Sequence, residues 1–283
     1  MTLSLAQNIP LFNSPIANIT FLCTLLISLM LSCLLATPDR SFTARFKDWV
    51  LFLAAMSVYE SLKHLHLASL SFWLGIHPKD QLLLDLDVRL FGQTPLRYFA
   101  DWGLSKGWWR ELFKAFYLTF YVMPVLVMGY FQWKDDKAGF YLVRRAMLLG
   151  LYGGYVSYVL IPATGPLAAG IIAPPPPEKL YSHIRVVDVE QMVETLRYQF
   201  DCFPSLHTAV PWMLLLLAGP RLPLAGSVVL AACTFGITIS TMALGLHYGV
   251  DVIAGIAWAF ATCALAKLTL AERPFFAWPF KAK

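Results

Sequence analysis

The strongest constraint on this chain is a pair of apolar runs, 206–219 and 224–244, separated only by Gly219-Pro220-Arg221-Leu222-Pro223. Two such runs, broken by a short Gly/Pro turn, read as a helical return that crosses an apolar layer and comes back. Asp201-Cys202-Phe203-Pro204-Ser205-Leu206-His207 opens the first run, and His247-Tyr248-Gly249-Val250-Asp251 follows the second. A return therefore delivers His207 and His247 to one face, although the sequence keeps them far apart. Two imidazoles and a carboxylate on one membrane surface make a candidate catalytic constellation.

The rest of the chain agrees with a membrane setting. It is 58% hydrophobic and 14% charged, against ~45–50% and ~25% for a soluble domain, and its mean hydropathy is +0.61. The expected fold is all-α: a polytopic membrane helix bundle of about seven transmembrane helices, forming a single integral membrane domain over 1–283. The spans read as 16–36, one starting near Trp49, 113–133, 146–162, the two runs above, and 248–270. The first has no basic leader and has the length of a membrane span, so it reads as a transmembrane helix and not as a cleaved signal peptide. The second is interrupted by Glu60, Lys63, His64 and His66. Region 68–110 mixes Leu, Trp and charge between Pro78, Gly92, Pro95, Gly103 and Gly107, which suits a segment lying in the interface. The catalytic core is expected over about 113–270, and 163–201 reads as an extramembrane loop with a helix near 186–199.

Charge sets orientation and excludes one class of partner. The net charge is +5 with no basic run, which argues against nucleic acid. The flanks 37–48 and 134–145 and the end from Lys267 are basic, while the first 36 residues carry no Lys or Arg. Basic flanks face the cytoplasm, so loop 163–201, His207, His247 and Asp251 are expected on the extracytoplasmic face. Four of the five cysteines sit in apolar runs and none forms a C-x-x-C pair, against a zinc site or a disulfide framework.

The chemistry follows from spacing. Asp251 lies one helical turn after His247, where its carboxylate can take the Nδ1 proton and leave Nε2 as nucleophile or base. Pro204-Ser205 reads as a helix start with Ser205 as N-cap, and the N–H groups of such a terminus suit an anion, phosphate above all. His207 in the first turn stands where it can protonate a leaving oxygen. Phosphoryl transfer needs chiefly positioning and charge stabilisation. Run 206–219 spans only ~21 Å as a helix against a hydrocarbon core of ~30 Å, which recesses Ser205 and His207 toward the level of a lipid phosphate. Taken singly, each motif has a plain reading: Ser205 as a cap, His207 as an interfacial polar group, His247 and Asp251 as a helix-end pair. Their convergence favours catalysis.

Phe203-Pro204-Ser205-Leu206-His207 and His247-Tyr248-x-x-Asp251 resemble the second and third signature motifs of the type 2 phosphatidic acid phosphatase superfamily. Ser205-Leu206-His207-Thr208-Ala209, Ser240-Thr241 and Pro162-Ala163-Thr164-Gly165-Pro166 are most similar to its inositol phosphorylceramide synthase-like branch. The resemblance covers about 146–260. It implies a six-helix phosphatase-like core, His247 as phosphohistidine nucleophile, Asp251 as its orienting partner and His207 as general acid, with no metal and no cofactor. The implied activity is a lipid phosphotransferase of sphingolipid metabolism, with a phospholipid or lipid-linked phosphate as donor and a lipid hydroxyl or water as acceptor. A lipid phosphate phosphatase on the same site is the alternative, and a transporter or scaffold without chemistry is a third reading.

The sequence departs from the family pattern in three places. Leu206 stands where Gly is usual, and Thr241 stands where a phosphate-clamping Arg is usual. The first motif, a Lys followed by Arg-Pro, is not intact: Lys137 and Arg144 have the spacing, but Arg145 replaces Pro and the expected topology puts them on the far face. Outer-side substitutes are Arg89, Arg97, Lys106, Arg110 and Lys114, with Lys106 and Arg110 favoured as substrate-binding residues beside the interface anchors Trp108-Trp109. Singly, each of these also reads as a solvated or headgroup-facing charge. Glu60 and His64 read as a buried hydrogen-bonded pair, with a metal or proton site as the sharper alternative. Tyr117, Tyr121, Tyr152, Tyr155 and Tyr158 read as interhelical packing, with a headgroup pocket as the alternative.

Overall fold

The computed structural model describes residues 42–62, 75–99, 107–170 and 200–272. Those residues form helices α1 Phe42–Leu62, α2 Asp80–Phe91, α3 Pro95–Phe99, α4 Gly107–Trp133, α5 Lys137–Leu160, α6 Leu206–Ala218, α7 Leu224–Ala243 and α8 Gly249–Glu272. Among the described residues there is no strand, only an isolated bridge between Ala163 and Asp201. The all-α expectation holds. Three of these helices, α4, α7 and the 249–269 part of α8, are long and apolar enough to cross a membrane. The run 16–36, residue His64 and the helix expected near 186–199 lie outside the described residues, whereas Glu60 falls on α1.

Local chemistry explains the boundaries. Gly92 ends α2 in the left-handed conformation, its N–H returning to the Val88 carbonyl, as a helix stop requires. Pro95 then opens α3, a position that tolerates the missing N–H. Thus the described part of 68–110 is broken where Gly92 and Pro95 indicate. α4 begins at Gly107, six residues before the expected start at 113, because the Trp108-Trp109 pair is taken into its first turn.

The stretch 134–145 differs most from expectation. Only 134–136 forms a turn, and Asp136 caps α5 by accepting the Gly139 N–H at 2.8 Å. Phe140, Leu142 and Val143 are then buried on α5, so Arg144 and Arg145 lie inside a helix. Arg144 donates to the Asp48 carbonyl at 2.7 Å and sits 3.8 Å from its carboxylate. It is sixteen residues, ~24 Å of helix, from the end of α5 that leads to Pro162.

α6 is the hub, packed on α4, α5, α7 and α8, with Met213, Leu214 and Leu217 fully buried. The return from α6 to α7 runs through a short 3-10 turn, Gly219–Arg221. α8 crosses the start of α6 at Gly255, where a Cβ would come within 2.5 Å of the Ser205 carbonyl oxygen. The Trp258 indole donates to the Gly150 carbonyl at 3.0 Å, tying α8 to α5. These crossings bring the N-termini of α6 and α8 together.

Candidate active site

His247 is delivered by the way α7 ends. Gly245 is left-handed, its N–H returns to the Met242 carbonyl, and the N–H of Leu246 returns to Thr241. This is the Schellman arrangement of a helix C-terminus. The His247 N–H also reaches the Thr241 carbonyl, at 3.1 Å. So Thr241, standing where the family pattern has Arg, holds the backbone of His247, while its hydroxyl donates to the Thr238 carbonyl at 2.9 Å.

Ser205 is the N-cap of α6 and accepts the Thr208 N–H, as its sequence context indicates. His207 follows in the first turn, half-buried, against Tyr117, Phe120 and Tyr121 of α4. Its Nδ1 lies 3.5 Å from Nε2 of the buried His247. The return thus brings the two imidazoles into contact.

The hydrogen bonds set the tautomers once both rings are neutral. His247 Nδ1 lies 2.9 Å from the Cys202 carbonyl oxygen, which can only accept, so Nδ1 carries the proton and Nε2 the lone pair. His207 Nδ1 then donates toward His247 Nε2. His207 Nε2 is left as an acceptor and takes the Tyr117 hydroxyl at 2.8 Å. Tyr117, His207, His247 and the Cys202 carbonyl therefore form one directional chain.

Asp251 sits one step outside that chain. Its Oδ2 is 3.6 Å from His247 Nδ1, farther than the Cys202 carbonyl. It instead accepts the Tyr248 N–H at 2.8 Å and the Cys202 thiol at 2.7 Å. The direct Nδ1–carboxylate bond expected from the four-residue spacing is replaced by a backbone acceptor, because the cap geometry at the start of α8 turns the carboxylate to Tyr248. Among the described residues, Cys202, His247 and Asp251 are also the cluster with metal-ligating atoms, all within 4.8 Å of one another. Here those atoms bond one another, so a cation would have to displace the thiol proton to enter.

Of the basic candidates, Lys106 lies outside the described residues. Arg110 is half-buried in the first turn of α4, on the face of Tyr117 and two turns away, ~10 Å along the axis. Lys114 pairs with Glu111 at 3.3 Å, and Arg89 and Arg97 are exposed. Tyr155 and Tyr158 are buried among α1 and α5 aromatics.

Sequence reasoning missed four groups around the site: the Cys202 carbonyl, Tyr117 as the partner of His207, and Asp80 and Asp87 of α2. Asp80 Oδ1 accepts from the Thr164 and Gly165 N–H groups and from the Tyr248 hydroxyl, each at 3.0 Å. Asp87 accepts from the Gly249 and Val250 N–H groups at 3.0 and 2.9 Å, and from the Thr94 hydroxyl at 3.0 Å. Burial pushes the Asp87 carboxyl above the usual carboxylate range, against the pull of these donors. The signal in the sequence was the seven-residue spacing of the two aspartates, which sets them on one face of α2.

With the geometry described, comparison with known proteins adds one match. A family model described as the PAP2 superfamily matches residues 81–265. No curated protein and no solved structure matches the chain.

Proposed function

The chain belongs to the PAP2 superfamily, which makes it a phosphatase or phosphotransferase, and on that premise we propose that it is a membrane-embedded lipid phosphotransferase working through a phosphohistidine at His247. The observation that carries this reading is the 3.5 Å approach of His247 Nε2 to His207 Nδ1, with the far nitrogen of each ring already engaged. A lone pair on Nε2 is what an attacking imidazole needs, and a proton on the facing His207 is what a leaving alkoxide needs.

In this mechanism His207 enters as the imidazolium; His247 Nε2 forms a bond to phosphorus, the bond from phosphorus to the leaving oxygen breaks, and His207 gives that oxygen its Nδ1 proton and is left neutral. An acceptor hydroxyl, from a lipid or from water, then attacks the phosphohistidine. The P–N bond breaks, and His207 takes the acceptor's proton. A phosphoryl group between the rings needs more than a 3.5 Å gap, so substrate entry must swing the His207 ring along its wall of Tyr117, Phe120 and Tyr121. Arg110 and Lys106 are proposed as phosphate-holding cations and Ser205 as the cap that shapes the anion-facing turn. The proposed site face is extracytoplasmic, and the proposed frame is seven spans around a six-helix core.

The transferase form, inositol phosphorylceramide synthase-like, is favoured by Thr241. Its side chain is buried and bonded to α7's own backbone, so that position offers no guanidinium to a phosphate. Losing a bidentate clamp weakens binding of a monoester dianion more than that of a diester monoanion, which lipid tails and headgroup also hold. Diester phospholipids are therefore expected to turn over faster than phosphatidic acid, and a rising concentration of alcohol acceptor should divert product from hydrolysis to transfer. His247→Ala should abolish both turnover and a trapped phosphoenzyme. If inorganic phosphate from a monoester dominates at every acceptor concentration, the enzyme is the phosphatase instead.

A further inference from the structure

α8 starts at Gly249, so Tyr248 occupies its N-cap and Asp251 its third position. Asp251 accepts the Tyr248 N–H, which is half of a capping box. The other half needs a short polar side chain at the N-cap to take the N–H groups of the first turn, and tyrosine cannot supply it. Those N–H groups are bonded all the same: Val250 to Asp87 Oδ1 and Gly249 to Asp87 Oδ2. The cap is lent by another helix, far away in sequence.

The same helix makes a second grip. Asp80, seven residues earlier on that face, accepts the Tyr248 hydroxyl and both N–H groups of the Thr164-Gly165 loop. That loop packs on the residue before His247: Gly165 is left-handed, and a Cβ there would clash with the Leu246 carbonyl oxygen. The Lys79 N–H, just before α2, donates to the Pro162 carbonyl at 2.8 Å. Every residue from Leu246 to Asp251 is thus fixed to α7, to Cys202, to α2 or to the loop α2 holds.

We propose that α2 is the clamp of the active site, with Asp80 and Asp87 as positioning residues that hold the His247–Asp251 segment in register for attack. The inference rests on the phosphohistidine reading above. α2 suits the task because its Leu83 is buried in one cluster with Ala163, Cys202, Tyr248 and Val250. Asp85, off the clamping face, is exposed and bonded to Gln81 of its own helix.

The two acceptor oxygens of Asp87 serve two separate N–H groups, so an amide cannot replace the carboxylate: its NH2 would meet an N–H. Asp87→Asn should lower kcat about 100-fold, the size of effect expected when a reacting group is misplaced by about 1 Å, with KM little changed. Asp80→Asn and Tyr248→Phe should each lower kcat about tenfold, as the loss of one buried hydrogen bond allows. Asp85→Asn should leave kcat as in the wild type. Folded protein is measured for each variant by monodispersity and thermal unfolding in detergent, and kcat is normalised to it. Amide hydrogen exchange at Gly249 and Val250 reads the clamp without using turnover, and should accelerate in Asp87→Asn only. Wild-type kcat in folded Asp87→Asn, or unchanged exchange at those amides, overturns the proposal. Should Asp87→Asn not fold, an unchanged kcat in Tyr248→Phe overturns it. A wild type that turns over no lipid phosphate refutes the phosphohistidine reading instead, and the exchange measurement still decides the clamp.

Discussion

The two histidines face each other through one nitrogen each, and the far nitrogen of His207 takes its partner from the Tyr117 side chain. It stacks on His207 at a centroid distance of 4.7 Å and hydrogen-bonds its Nε2. Removing the hydroxyl leaves the stacking but takes the hydrogen-bond partner from Nε2, so the ring is held less firmly and its imidazolium form loses an acceptor. Tyr117→Phe should therefore cost about 1 kcal/mol of acid catalysis, roughly fivefold in rate. The loss should appear with poor leaving groups and vanish with an activated ester such as a nitrophenyl phosphodiester, which needs no acid. An equal loss on both kinds of ester would mean that Tyr117 supports His207 only as a wall. Nothing near Tyr117 in sequence announces this role, since its partner is ninety residues away and an aromatic on an apolar helix reads as packing. His207 and His247 were legible because a Gly/Pro turn between two apolar runs leaves the chain one way to go. The Cys202 carbonyl was not, because a backbone acceptor carries no residue-type signal.

At the scale of elements, the site is a meeting of two helix N-termini, and their approach is set by Gly255. A methyl there would strike the Ser205 carbonyl oxygen, a backbone atom on a capped turn that has no room to yield. Gly255→Ala should push α8 off α6 and widen the gap between the histidines. The expected cost is about 1–3 kcal/mol, as for other overpacked sites, with turnover falling by more than the folded fraction does. Gly226 on α7 is the matched control: a Cβ there meets Leu222 at an ordinary 3.5 Å. Gly226→Ala should be neutral or stabilising by up to ~1 kcal/mol. Thermal unfolding and turnover of both variants in detergent check the pair, and equal behaviour would remove the close crossing from the argument. Several boundaries were readable, since Gly92, Pro95 and Ser205 each mark a terminus by their own chemistry. The length of α5 was misread because Arg144 and Arg145 look like a flank. Inside the fold Arg144 leans on Asp48, and that contact with α1 is invisible to local periodicity. Asp87 was hidden for the opposite reason: a carboxylate on an amphipathic helix reads as facing water, yet this one is fully buried.

At the scale of the whole molecule, α5 is a ruler for how the chain sits in a membrane. Its 24 residues span ~36 Å, more than the ~30 Å hydrocarbon core. One end is the turn at 134–136 and the other runs into Pro162 beside the site, so in the proposed seven-span frame, where α5 crosses the bilayer, the two ends would lie on opposite sides. Lys134, Lys137, Arg144 and Arg145 belong to the turn's end of the bundle. Arg221 in the α6–α7 turn and Lys267 late in α8 belong to it too, since both helices leave the site from their N-termini. An excess of Lys and Arg marks the cytoplasmic side, and of those named the turn's end carries six against five at the site end, Lys79, Arg89, Arg97, Arg110 and Lys114. The histidines are therefore expected to face outward. Ala169 near the site and Lys134 in the turn are both exposed, and cysteines at these positions can be probed in intact cells with a membrane-impermeant maleimide. Ala169→Cys should label at once, and Lys134→Cys only after the membrane is permeabilised. The reverse pattern would put the chemistry on the cytoplasmic side and its lipid donor in the inner leaflet. Equal labelling of both before permeabilisation would mean that α5 does not cross, and the seven-span frame would fall with it.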